Sequence, residues 1–121
     1  MAPYGGAPMA PLGREPVRSA FFDVPPPAVP AELESGRIDA RDYPVGARTR
    51  GSEGEVAVVL LVRSDGRVGD CRIDRSSGDR DLDEATCGLI LDRFRYRPAL
   101  NAYREPVEDE AGWVQRWSLG G

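Results

Sequence analysis

A chain of 121 residues has room for one domain with a modest core and little beyond it. Its sixteen basic residues, all arginine, are outweighed by twenty acidic ones, and a net charge of −4 argues against nucleic acid or an anionic membrane as the main partner. With no histidine the commonest general base and transition-metal ligand is missing, and two cysteines alone cannot complete a four-ligand zinc site. No enzyme activity, cofactor or metal is therefore expected.

Residues 1–38 hold eight of the eleven prolines, three of them consecutive at Pro25, Pro26 and Pro27. Proline lacks the backbone donor, so this stretch is expected to be a largely disordered linker or spacer remnant with polyproline II character. Its one apolar cluster, Ala20, Phe21, Phe22 and Val24, offers a means of docking on a folded domain. Met1 to Leu12 has neither the basic nor the apolar region of a signal peptide. No run reaches the ~20 apolar residues of a membrane span. The chain is expected to be a fragment or mature form of a longer protein.

The folded domain is expected over 39–119. Asp39 to Arg48 reads as a short helix or turn interrupted by Tyr43-Pro44. Glu55 to Arg63, rich in valine and leucine, is a strand, and Ser64-Asp65-Gly66 is a tight hairpin turn into a second strand, Arg67 to Asp74. Ser76-Ser77-Gly78 breaks that strand. Asp81 to Arg95 is a helix, with Asp81, Asp83 and Glu84 at its positive N-terminal end. After Pro98, and past the acidic run Glu108-Asp109-Glu110, Glu110 to Leu119 forms a last strand. The fold class is α+β: β-β-α-β, a three-stranded antiparallel sheet with one helix packed on one face, preceded by the short N-terminal helix or turn.

Alternation places Val56, Val58, Leu60 and Val62 on one face of the first strand, and Cys71 and Ile73 on one face of the second. On the helix, Cys87, Ile90, Leu91 and Phe94 form one stripe to cover the sheet. The opposite sheet face, Ala57, Val59 and Leu61, is also apolar. It needs a cover, either the N-terminal phenylalanines or a second copy of the chain as a homodimer. Cys71 and Cys87 are brought together by this arrangement. A disulfide is expected, implying an oxidising compartment, against the alternative of two buried thiols acting as small hydrophobes.

Three other patterns resolve to structure. Asp79, Asp81, Asp83 and Glu84 resemble a calcium loop, yet its sixth and twelfth positions would be Glu84 and Ile90 where glycine and a bidentate glutamate are required. Ser76-Ser77 has no histidine to activate it. Arg93, Arg95 and Arg97, alternating with Phe94 and Tyr96, read as the cationic end of the helix rather than a nucleic-acid stacking platform.

Six motifs follow one another in register: Asp42-Tyr43-Pro44-Val45-Gly46-Ala47, Glu53-Gly54-Glu55-Val56, Ser64-Asp65-Gly66-Arg67-Val68, Arg75-Ser76-Ser77-Gly78, Leu82-Asp83-Glu84-Ala85 and Arg93-Phe94-Arg95-Tyr96-Arg97-Pro98. Together they resemble the TonB C-terminal domain, and the cysteine pair resembles a subset of that family. The resemblance implies a periplasmic energy transducer hung from an inner-membrane anchor helix by a proline-rich spacer, a helix missing from this chain. Such a domain binds the TonB box of a TonB-dependent outer-membrane transporter by strand addition. An inner-membrane proton-channel complex then drives uptake of a nutrient such as a siderophore. A TonB-like or TolA-like module in envelope assembly, without transport, is the alternative.

By this resemblance the partner-binding residues are Gly112, Trp113, Val114, Gln115, Arg116, Trp117 and Ser118 on the last strand, with Asp42, Tyr43 and Pro44 beside it. Trp113 and Trp117 are expected to face inward, and Arg116 to add a charge contact. A glutamine that contacts the transporter in the best-studied family pattern is replaced here by Ala40, so that contact is not carried over.

Overall fold

The computed structural model describes residues 6–8, by their backbone, and residues 22–120. In chain order the elements are β1 (Gly6–Pro8), β2 (Glu32–Ser35), a 3-10 turn (Ala40–Asp42), α1 (Val45–Arg50), β3 (Gly54–Val62), β4 (Val68–Arg75), α2 (Arg80–Arg93), β5 (Arg95–Arg97), β6 (Ala99–Leu100), β7 (Pro106–Val107) and β8 (Asp109–Trp117). The expected antiparallel sheet of β8, β3 and β4 is present with α2 on one face, and β1 adds to it, giving the order β1-β8-β3-β4.

The hairpin between β3 and β4 closes where Asp-Gly is placed. Gly66 N–H donates to the Arg63 carbonyl and Asp65 accepts from Arg67 N–H. Gly66 has φ +88°, and a Cβ there would lie 2.1 Å from the Tyr96 carbonyl oxygen, so both the turn and its close approach to β5 require glycine. Tyr96 N–H donates to the Gly66 carbonyl at 2.8 Å, tying the turn to the segment that follows the helix.

Strand β3 is buried along nearly its whole length because both faces are covered. Val56, Val58, Leu60 and Val62 face α2 in one cluster with Leu82, Ile90, Phe94, Trp113 and Trp117. On the other face Ala57 and Val59 are also buried. Arg72 lies opposite Val59 in the register, and its guanidinium sits 5.0 Å from the ring of buried Phe22. The chain's own Phe22 thus helps to cover the outer face; Phe21 lies outside the described residues.

Helix α2 departs from the expected stripe. Leu91 is exposed and Cys87 half-buried, whereas Leu82, Thr86 and Ile90 are the buried positions, with Phe94 buried just past the end. The true face therefore repeats every four residues through 82, 86, 90 and 94, and it admits a threonine because Thr86 donates its hydroxyl proton to the Leu82 carbonyl at 2.8 Å. Asp79 caps the start, accepting from the backbone of Asp81 and Leu82. The helix also ends two residues earlier than expected. Phe94 is extended, and Arg95–Arg97 pairs with β2. Pro98 pushes its predecessor Arg97 out of helical geometry, and Arg95–Arg97 becomes a strand, with Phe94 just before it and Tyr96 within it both buried. Ile73, expected inside with Cys71, is 37% exposed near the end of β4.

Cys71 and Cys87 form a disulfide, their Cα atoms 5.6 Å apart, within the usual span of such bonds. It fastens the outermost strand of the sheet to the middle of α2. Residues 22–38, assigned by composition to the proline-rich stretch, lie against the domain. Val29 bridges Leu100, β2 pairs with β5, and Ala31 N–H donates to Asp109 at 2.9 Å.

Candidate partner-binding edge

Strand β8 lies in full antiparallel register with β3, from Gly54 opposite Trp117 to Val62 opposite Asp109. Since Val56 and Val58 face the helix, their partners Gln115 and Trp113 must do so too, and Trp117 follows at the same parity. All three are buried, with Gly112, Val114 and Ser118 half-buried and Arg116 exposed. The two tryptophans fix the strand from within. Trp113 meets Phe94 edge-on at 4.9 Å, and Trp117 meets Tyr43 edge-on at 5.2 Å while its Nε1–H donates to Thr86 at 2.9 Å. Gln115, fully buried between them, accepts from Trp113 Nε1–H at 3.1 Å and donates to the Arg116 carbonyl. A buried polar residue is tolerated here because neighbours on its own strand satisfy it.

Asp42, Tyr43 and Pro44 are held near the C-terminal end of β8, as the Tyr43–Trp117 contact requires. Their side chains are occupied. Tyr43 is buried and its hydroxyl donates to the Ser52 carbonyl; Pro44 is the N-cap of α1. Asp42 takes a two-pronged bond from Arg93, both N–O distances 2.7 Å, and also accepts from Asp39 N–H. Arg116 pairs with Glu55, its register partner on β3, at 3.1 Å, a surface pair worth no more than about 1 kcal/mol. Glu53 accepts from Leu119 N–H at 2.6 Å and anchors the exit from the strand.

The edge of β8 away from β3 carries β1, with Gly6 opposite Gln115, Ala7 opposite Val114 and Pro8 opposite Trp113. Nothing in the sequence announced this. Glycine, alanine and proline are poor strand formers, and strand addition needs backbone groups rather than a side-chain pattern. The β6–β7 hairpin was equally silent, being only two residues long on each side.

Two carboxylates near the edge differ in their electrostatics. The Arg93 hydrogen bonds hold Asp42 below its ordinary value near 3.8, against the opposing effect of burial. Burial pushes Asp109 above that value, partly offset by the N–H groups of Ala31 and Glu110. A lowered folded pKa gives stability that is present above the unfolded pKa and lost as pH falls through the folded one; a raised pKa in an acid works in reverse. Asp42→Asn is therefore expected to flatten the acid limb of the melting curve below about pH 4 and to lower the neutral-pH melting temperature. Asp109→Asn, which keeps an acceptor for Ala31, should raise stability at neutral pH relative to acid. Melting scans from acid to neutral pH check both, and acid limbs unchanged from the parent would count against these assignments.

No curated protein matches the chain. It is similar to a solved structure entitled "Solution NMR structure of Pseudomonas aeruginosa TonB CTD", at 26% identity and a TM-score of 0.58, covering 74% of this chain and 89% of that one. Residues 39–112 match the family described as Gram-negative bacterial TonB protein C-terminal, a stretch that runs from the 3-10 turn's cap to the first half of β8. With that match spanning more than half of its residues, the chain belongs to the TonB C-terminal domain family.

Proposed function

We propose that this domain works in the periplasm as the partner-binding end of a TonB-type energy transducer. It engages the N-terminal segment of an outer-membrane transporter by adding that segment as a strand to β8. The observation that carries the reading is the antiparallel pairing of an extended segment on the outer edge of β8, at Trp113, Val114 and Gln115. An edge of this kind recognises a peptide through backbone hydrogen bonds and asks little of its sequence. Gly112 to Ser118 supply the edge, while Asp42, Tyr43 and Pro44 brace its end. The Cys71–Cys87 bond suits an oxidising compartment. No helix among the described residues is long and apolar enough to cross a membrane. An anchor helix elsewhere in the full protein would link the domain to the proton-channel complex that powers nutrient uptake, siderophores among them.

Calorimetry with a peptide carrying a transporter's N-terminal segment tests this. If backbone pairing supplies the affinity, methylating alternate peptide amides has opposite consequences for the two parities. Methylation of the amides that face β8 abolishes binding; methylation of the others leaves it nearly intact. Arg116→Ala and Val114→Ala should each cost less than about 1 kcal/mol, since neither removes a ladder group. Equal losses at both parities, with large alanine effects, would assign the affinity to side chains. A peptide that does not bind at all would favour an envelope-assembly role.

A further inference from the structure

The segment seated on β8 belongs to the chain itself, and it lies where a partner would have to lie. We infer that residues 6–8 are an internal competitor for the β8 edge, so that a transporter strand binds by displacing them; this rests on the strand-addition reading above. Three features fit a displaceable occupant. Among the described residues the pairing is three residues long, against the nine of β8. Pro8, opposite Trp113, has no N–H to offer a partner strand. Thirteen residues separate Pro8 from Phe22, which is packed on the outer face of the same sheet. A stretch of that length can span at most about 45 Å.

The tether also explains how so short a strand can compete. Held on the same chain, the segment acts at an effective concentration on the order of millimolar, without needing intrinsic affinity of its own beyond that range. A partner strand that pairs along 112–118 forms a longer ladder and wins once its own concentration and affinity suffice. Where the edge is free in about a tenth of molecules, the apparent affinity for any competitor falls about tenfold. The occupant also indicates the ligand chemistry: an extended antiparallel strand that carries small residues where it faces Val114 and Gln115.

The test compares the full chain, a chain lacking residues 1–8, and the full-length double variant Gly6→Pro/Ala7→Pro. The double variant removes whichever of the two backbone donors faces β8 while keeping length and tether. Each is titrated with a peptide of residues 4–12, followed by amide shifts in an NMR spectrum. The peptide is expected to shift Trp113, Val114 and Gln115 in the truncated chain and in the double variant, and to bind the full chain about tenfold more weakly. Equal binding to all three chains, or shifts that avoid β8, would overturn the inference. A transporter peptide separates the two readings. If it binds all three chains equally, the internal competitor is wrong and the proposed function stands. If it binds none while the residue 4–12 peptide behaves as expected, the function falls and the competitor stands.

Discussion

Replacing Trp117 with alanine is expected to lower stability by about 3–5 kcal/mol, the range for removing a large buried aromatic side chain. Trp117 is 1% exposed and joins three parts of the molecule. Its indole lies on β8, its Nε1–H reaches Thr86 on α2, and its ring meets Tyr43 between the 3-10 turn and α1. Alanine removes all three at once, and the backbone on either side of β8 cannot collapse without breaking its register with β3. Against a total of about 5–15 kcal/mol for a domain of this kind, most of the folded population is at stake. Trp117→Phe should be much milder, about 1–2 kcal/mol, because the ring volume is largely kept and Thr86 retains its bond to the Leu82 carbonyl. Denaturant melts of the two variants make the comparison. A Trp117→Ala protein within about 1 kcal/mol of the parent would show that β8 is not held from its inner face.

Opening the Cys71–Cys87 bond should cost about 3 kcal/mol, as expected for a closed loop of roughly fifteen residues. For a domain of about 100 residues that corresponds to a fall in melting temperature of roughly 12 °C or more. The double variant Cys71→Ala/Cys87→Ala should show the loss, and the parent should show it on adding a thiol reductant. Neither cysteine is fully buried, so a reductant has access. Unreduced protein should weigh two hydrogens less than its sequence requires. Two thiols open to alkylation in that sample would contradict the bond.

Much of this architecture was legible because its signals are local and redundant. Asp65-Gly66 demanded a turn, the valine and leucine run demanded a buried strand, and Asp79 to Glu84 marked a helix start; each lies within one or two residues of its expected place. The errors arose where one pattern serves two periods. The run from Arg93 to Arg97 alternates polar and aromatic residues, a strand signal that fits the cationic end of a helix equally well. On α2, spacing taken from Cys87 gave Leu91 where spacing from Leu82 gives Thr86, and only packing against Trp117 decides between them. The candidate edge is an expectation from family resemblance rather than from composition. Its inward tryptophans follow from alternation, but Gln115 in the core does not. The occupancy of the edge by Gly6–Pro8 lay beyond any local reading, since the pairing joins positions more than 100 residues apart through backbone groups common to every sequence.

The disulfide has a mechanical meaning as well as a thermodynamic one. A load applied between the two ends of the chain passes through β3, the hairpin and the first part of β4, then crosses at the sulfur atoms to the middle of α2. The sixteen-residue separation between Cys71 and Cys87 is bypassed by a link 5.6 Å long. At about 3.5 Å per extended residue, some 50 Å of contour length can never be drawn out while the bond lasts. The end of β4 and the first half of α2, including the Asp79 cap and the Ser76-Ser77 loop that Asp83 ties down, form a slack loop that carries no tension. If this domain is pulled from one end while its partner holds β8, extension is confined to the rest of the chain.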